Sequence, residues 1–270
     1  MGIISSLIKV ASTLAQNPKR LLRVLNNEDD YQQQVIKKYN NKYGLPVIDL
    51  LDLFPDFDVT LDAYSYLEGA SLPTDMAMLK KFAQSFPECN YFEIGTWRGE
   101  SIANVAPAAK MCTSLNLSGN EIRALGLPEG CVTIQRFYSK NIPNIKYVEH
   151  NSLTFDFKSL NDTFDLIFVD GDHRYDAVVS DARNAFTLLK NEKSIIVFHD
   201  YGMSTEKIRW EVFAGILEAC PTDKRHRLFH ISNTLCAVYL PEGNYPTRTI
   251  GFPEMPNKKF RIHLKAEKAI

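Results

Sequence analysis

Three blocks of this sequence hold residues whose types and spacing could do chemistry together. The first is YFEIGTWRGESIANVA, residues 91–106, where an apolar run ends in Glu93 and is followed by Gly95 and Gly99. Phe92 and Ile94 suit burial and Glu93 closes the strand. The two glycines let backbone approach a ligand, and Ser101 is placed to cap the helix that follows. The spacing E-x-G-x-x-x-G is neither the G-x-G-x-x-G of dinucleotide sites nor the G-x-x-x-x-G-K-[ST] of phosphate loops. A nucleotide-type turn without a pyrophosphate or triphosphate cradle is therefore expected. Taken alone, the same letters also describe an ordinary strand, turn and helix. Trp97 and Arg98 inside the turn either border a ligand or pack on neighbouring helices.

The second block, FDLIFVDGDHRYDAV, is a buried strand that delivers Asp170, Gly171, Asp172 and His173 to its carboxyl end, where open α/β sheets bind ligands. The third, IIVFHDY, delivers His199 and Asp200 in the same way. If the two strands are neighbours, Asp170 and Asp200 lie about one strand spacing, ~4.8 Å, apart. Carboxylates that close repel unless a cation neutralises them, and a hard ion such as Mg²⁺ with open water positions fits. Side chains alternate along a strand, so His199 and Asp200 both reach one ion only if the strand has ended before them. Asp172 or His173 is the expected general base for a hydroxyl substrate. The plainer alternatives are Asp170 as a turn cap and His173 as a loop residue bonded to backbone.

These residues need a frame, and the periodicity supplies one. From about residue 75, strand-like and helix-like segments alternate, which predicts a mostly parallel sheet with helices on both faces. Strands are expected at Lys110–Leu115, Ile145–Glu149, Phe164–Val169 and Ile195–Phe198, with a helix over Tyr175–Lys190 and another through Ile208, Val212 and Ile216. The connection holding Gly126, Pro128 and Gly130 is long and poorly patterned. Leu228–Ile231 and Leu235–Leu240, joined through Ser232–Thr234, predict a closing antiparallel hairpin.

GTWRGES, FVDGDHRYDAV and IIVFHDY, in this order and spacing, resemble class I S-adenosylmethionine-dependent methyltransferases, in particular the metal-dependent sugar O-methyltransferases of natural-product biosynthesis. The resemblance covers about Ser71 to Leu240. It implies an α/β fold, a Rossmann-like sheet of seven strands, mostly parallel, with a terminal antiparallel hairpin and an N-terminal helical extension. It implies that Glu93, Gly95 and Gly99 contact S-adenosylmethionine, together with Thr96, Trp97, Ser101 and Asp170. It also implies Asp170 and Asp200 as ligands to Mg²⁺ and Asp172 as the base. His199 stands where the sugar enzymes carry another acidic ligand, and Asn116 stands near the position of an acid on the cofactor ribose. Asn151 and Ser152 match the position that meets the adenine edge. The function expected is methyl transfer, O-methylation of a small hydroxylated molecule. The rival is a non-catalytic cofactor-binding or scaffold protein on the same fold, and a metal-dependent hydrolase or hydroxylase is a third.

The 270 residues, 45% hydrophobic and 23% charged, suffice for a large core. A net charge of -1 gives no electrostatic case for nucleic acid. Cys89, Cys112, Cys131, Cys220 and Cys236 are scattered without C-x-x-C spacing, so neither a disulfide framework nor a thiolate zinc site is expected, and a reducing cytoplasm fits. The expected organisation is a helical extension or lid over 1–75, a catalytic domain over 76–240 and a basic tail over 241–270. Ile4, Leu7, Ile8, Ala11 and Leu14 recur at helical spacing beside Lys9, Lys19, Arg20 and Arg23. That pattern opens peripheral membrane contact, although packing on the domain or in a homodimer is favoured. Met1, Gly2 and Ser6 sketch a myristoylation signal, and no secretory leader is expected. Tyr64, Tyr66, Glu68 and Gly69 are candidates for a substrate lid. Lys258, Lys259, Arg261, Lys265 and Lys268 read as a solvated basic surface.

Overall fold

The computed structural model describes residues 28–268. The amphipathic pattern, the membrane contact and the acylation signal expected near the start lie outside the described residues. Among the described residues, no helix is long and apolar enough to cross a membrane.

The centre is an eight-stranded sheet. In chain order its strands are β1 (Val47–Ile48), β2 (Asn90–Ile94), β3 (Met111–Asn116), β4 (Ile145–Glu149), β5 (Leu166–Val169), β6 (Ile195–Phe198), β9 (Leu228–Ile231) and β10 (Ala237–Tyr239). A separate hairpin pairs β7 (Gly202–Ser204) with β8 (Lys207–Ile208). The strand order across the main sheet is β1-β9-β10-β6-β5-β2-β3-β4. Every pairing is parallel except those of β10, which runs antiparallel to both β6 and β9. The mostly parallel sheet with its terminal hairpin is therefore as the sequence predicts. An eighth strand is added by Val47 and Ile48, which pair with His230 and Ile231. Two residues carry too little pattern to signal a strand.

Alternation along the strands builds two cores. Phe92, Ile94, Ile167, Ile196 and Phe198 face one side, where α7 (Tyr175–Thr187) and α8 (Trp210–Ala219) pack. Tyr91, Leu166, Phe168, Ile195 and Val197 face the other, covered by α3 (Pro73–Gln84) and α4 (Glu100–Val105). Two helices precede these: α1 (Glu28–Tyr39) and α2 (Leu50–Leu53), the latter capped by the Asp49 carboxylate accepting from Leu51 N–H. The poorly patterned connection after β3 folds as α5 (Gly119–Ala124) and α6 (Glu129–Thr133).

Several boundaries move for identifiable reasons. Ile208 lies in the β7–β8 hairpin rather than in the following helix, because Arg209 N–H returns to Tyr201 O and closes the turn first. Phe164 makes only an isolated bridge with Leu189, which also ends α7 short of Lys190. Leu235 gives its N–H to Asp75 and its carbonyl to Gly202, so it cannot join the ladder of β10. Lys258 is buried rather than solvated: its ammonium sits 2.6 Å from Asp49 Oδ2 and 2.9 Å from Asn233 Oδ1. All five cysteines are free.

The segment before the sheet is tied to the carboxyl end of the strands by Tyr201, whose buried hydroxyl accepts from Leu45 N–H at 2.9 Å. Tyr201→Phe leaves that N–H without its partner at a site only 4% exposed. A loss of about 1–3 kcal/mol in urea denaturation is expected.

Candidate functional site

The glycine turn is held from below and from the side. Gly95 N–H donates to Leu115 O on β3, and Gly95 packs directly on the backbone of Asp170. Trp97 adopts a left-handed backbone, φ 45°, and is exposed. Strain at a non-glycine residue of this kind gathers at functional turns. The segment 134–140 closes over the turn, with Arg136 N–H donating to Trp97 O and Tyr138 N–H to Arg98 O.

Glu93 does not close the strand but lies inside it, with 0% exposure. Tyr91 hydroxyl donates to its Oε2 at 2.6 Å, and the hydroxyls of Ser101 and Thr96 also bond its carboxylate. Oε1 is buried without a hydrogen-bond partner. Burial pushes the Glu93 carboxyl up to about 7, against the lowering effect of those hydroxyls. Ser101 is thus a ligand of Glu93 and not the helix cap. Gly99, left-handed, occupies the N-cap of α4, and Ser101 sits buried two residues later, within the first turn. Thr96 is buried and its hydroxyl also meets that of Ser114.

Arg98 is a strut. Its guanidinium pairs with Glu100 at 3.0 Å and donates to the carbonyl of Glu68, while Glu100 Oε1 accepts from Ser65 N–H. Asn104 bonds Asp62 and Ala63 in the same way. Together they fasten residues 62–68 to α4. Tyr64 and Tyr66 stack edge-to-face in that strap, and Gly69 faces Trp97, so the residues read as a lid line the wall beside the glycine turn.

At the ends of β3 and β4, Asn116 is half-buried and its carbonyl accepts from His150 N–H. The two ends are bridged by Glu121, which accepts from Ser118 through Oε2 and from Asn151 N–H through Oε1. The Asn151 side chain accepts from Leu153 N–H, a local turn contact. Ser152 bonds the buried Asp181 of α7, whose Oδ1 has no hydrogen-bond partner. Burial pushes the Asp181 carboxyl up to about 6.

The acidic cluster forms where the sequence puts it. Val169 pairs with Phe198 in the parallel β5–β6 ladder, and both strands stop there. Asp200 then turns left-handed, φ 59°, which brings its carboxylate to the side of His199. One ligand atom each from Asp170, His199 and Asp200 lies within 4.8 Å of the others. His199 Nδ1 is 3.0 Å from Asp170 Oδ1 and 3.5 Å from Asp200 Oδ2, and Nε2 is 3.2 Å from Asp75 Oδ2. Burial disfavours the His199 cation, but the carboxylates of Asp170, Asp200 and Asp75 around it outweigh burial and raise its pKa well above the ordinary value. Burial also raises Asp170 against the pull of His199, whereas His199 and Arg209 overcome burial at Asp200 and lower it. Among the described residues, Asp75, His199 and Cys236 form a second close set. Burial keeps that thiol protonated, so it is a packing contact.

Asp172 and His173 border the same small cleft, which Val169, Gly171, Val178, Phe198 and Val212 also line. Arg174 grips Asp172 through its guanidinium and through its backbone N–H, and outweighs burial to hold the carboxyl below its usual range. An ionised but weakly basic carboxylate results. His173 is exposed beside it and close enough for its charge to lower Asp172 and Asp200.

Two working residues escaped the sequence reading. Asp75 comes from a helix 124 residues before its partner His199, and no local pattern announces such a contact. Glu121 was legible: Ser118-Gly-Asn-Glu121 is a capping box, the signature S/T-x-x-E.

The family model described as "Methyltransferase domain" matches residues 92–201. Uncharacterized protein R132 of Acanthamoeba polyphaga mimivirus is 27% identical over 157 residues, covering 53% of this chain and 64% of that protein's length. Cofactor-bound Rv0187 from MTB is 17% identical, with a TM-score of 0.48 over 66% of this chain and 84% of that one. The O-methyltransferase from Bacillus cereus in complex with SAH is 14% identical, with a TM-score of 0.43 over 82% and 94%. The sheet order, the glycine turn against Asp170 and the matched segment coincide: residues 92–201 are similar to a methyltransferase domain, set in a Rossmann-like α/β fold.

Proposed function

We propose that this protein is an S-adenosylmethionine-dependent O-methyltransferase acting on a small hydroxylated molecule, such as a sugar or natural product, with a divalent cation at Asp170, His199 and Asp200. The observation that carries this reading is the packing of the Gly95 turn on Asp170. It sets the buried Glu93 acceptor and the acidic cluster at the carboxyl ends of adjoining strands. When bound, the methyl donor supplies an electrophilic carbon and the cation lowers the pKa of a hydroxyl group.

The protein's part is orientation, exclusion of water and proton transfer. Glu93 Oε1 offers a buried acceptor to a donor group of the cofactor. Trp97 and the strap held by Arg98 and Glu100 wall off the turn. Asp172, ionised and fixed by Arg174, is the base we assign for the acceptor hydroxyl. His199 Nδ1, with Asp170 and Asp200, fits a cation, because this buried nitrogen has no hydrogen bond and faces two carboxylates.

Calorimetric titration with S-adenosylhomocysteine tests the cofactor half, and absence of binding to the folded, metal-loaded protein would overturn it. Asp172→Asn is expected to lower turnover about 10²–10⁴-fold. Its affinity for S-adenosylhomocysteine should stay within about twofold, since the removed interaction belongs to the transition state. The same loss in His173→Gln, with Asp172→Asn active, would transfer the base role to His173.

A further inference from the structure

The geometry points to the identity of the ion. We propose that Asp170, His199 and Asp200 select a borderline later first-row dication, of the Co²⁺ or Zn²⁺ kind, over Mg²⁺, and that Asp75 is the positioning residue that makes His199 a ligand. The inference deepens the reading above by naming the ion class for the same site. Its test needs no methyl donor, so the two can fail separately.

The His199 side chain is only 8% exposed, and its two nitrogens have different surroundings. Nε2 lies 3.2 Å from Asp75 Oδ2. Asp75 is 0% exposed and cannot swing away, because Oδ2 also accepts from Leu72 N–H and Oδ1 accepts from Leu235 N–H, both at 2.8 Å. A carboxylate fixed in this way holds a proton on Nε2, so Nδ1 is the nitrogen that a cation would take in exchange for its proton. Nδ1 is buried with no hydrogen-bond partner, and it is aimed at Asp170 Oδ1 and Asp200 Oδ2. Arg209 engages Asp200 through the opposite oxygen, Oδ1, at 3.3 Å. One imidazole nitrogen and two carboxylate oxygens therefore converge. Mg²⁺ prefers oxygen ligands throughout, whereas an imidazole in the set favours later first-row metals.

The experiment is titration of the full-length, metal-stripped protein with CoCl₂ and with MgCl₂, followed by calorimetry and, for Co²⁺, by its visible absorption. Co²⁺ is expected to bind about tenfold or more tightly than Mg²⁺ and to give a ligand-field band that His199→Gln abolishes. Asp75→Asn should weaken Co²⁺ about 10–100-fold. His199→Asp should narrow or reverse the preference toward Mg²⁺. Equal or tighter binding of Mg²⁺ by the unaltered protein overturns the proposal. So does binding of neither ion, which would leave a protonated His199 to balance the carboxylates, and so does an unchanged Co²⁺ band in His199→Gln. Should Asp75→Asn fail to fold, the comparison of ions on the unaltered protein still decides the ion class, and Asp75→Glu, which keeps the charge but moves it, tests the positioning role by the same band.

Discussion

Glu93→Gln is expected to stabilise the cofactor-free protein at alkaline pH while weakening its affinity for S-adenosylhomocysteine. Burial raises the Glu93 carboxyl from 4.5 to about 7, so the folded chain resists ionising it. A carboxyl raised in the folded state contributes stability that is fully present below about pH 4.5 and is lost as pH rises through about 7. The difference amounts to roughly 3 kcal/mol above pH 8. Glutamine carries no charge to bury, so its stability relative to glutamate should improve by about that amount between pH 5 and pH 9. That corresponds to roughly 6–12 °C in Tm. Tyr91 hydroxyl keeps an acceptor in the amide oxygen, which limits any packing loss. The binding cost follows from the other oxygen. Oε1 has no partner within the protein, and replacing an ionised acceptor loses about 1.5–3 kcal/mol, or about 10–150-fold in Kd. Paired melts at the two pH values and one calorimetric titration check both halves. A variant whose relative stability is the same at pH 5 and pH 9 would show that Glu93 ionises freely.

How far the site was legible depended on the distance along the chain over which each residue is positioned. Phe92, Ile94, Phe168 and Phe198 announce their strands by apolar runs, and the helix from Tyr175 by its spaced face, because burial on a sheet is a local and periodic demand. Asp170 and Asp200 could be placed near each other because strand order and spacing fix the ends of neighbouring strands. The reach of both His199 and Asp200 to one point was conditional on where β6 ends. It ends at Phe198, and the left-handed Asp200 supplies the turn. The roles of Ser101 and Arg98 were not legible. Ser101 faces Glu93 from inside a helix, and Arg98 reaches the carbonyls of Glu68 and Leu67 about 30 residues away. Lys258 was misread for the same reason: a lysine in a charged tail looks solvated until Asp49, 209 residues earlier, meets it. Composition and period specify faces, whereas polar contacts across long separations depend on the finished packing.

Gly95→Ala should be the most damaging single methyl that can be added to this protein's site. Gly95 has φ +88°, and a Cβ there would lie 2.1 Å from Asp170 O, 2.6 Å from Asp170 C and 2.9 Å from Gly171 Cα. All three are backbone atoms, so no side-chain rotation relieves the collision. Nor can the backbone retreat cheaply: Asp170 N–H donates to Ile94 O, Gly95 N–H donates to Leu115 O, and Ile94 is in register with Val169. Either the turn lifts off β3 or Asp170 moves out of the cluster with His199, and each breaks ladder bonds at the centre of the sheet. A loss of about 4 kcal/mol or more is expected. The control is Gly126→Ala, where φ is +74° but no heavy atom lies within 4 Å of the added carbon. That substitution carries only the left-handed penalty of about 1–2 kcal/mol. Urea denaturation of the two variants separates contact from conformation. A Gly95→Ala protein within about 1 kcal/mol of Gly126→Ala would mean that the turn does not rest on Asp170. With it would go the geometric link between the Glu93 acceptor and the ion-binding cluster.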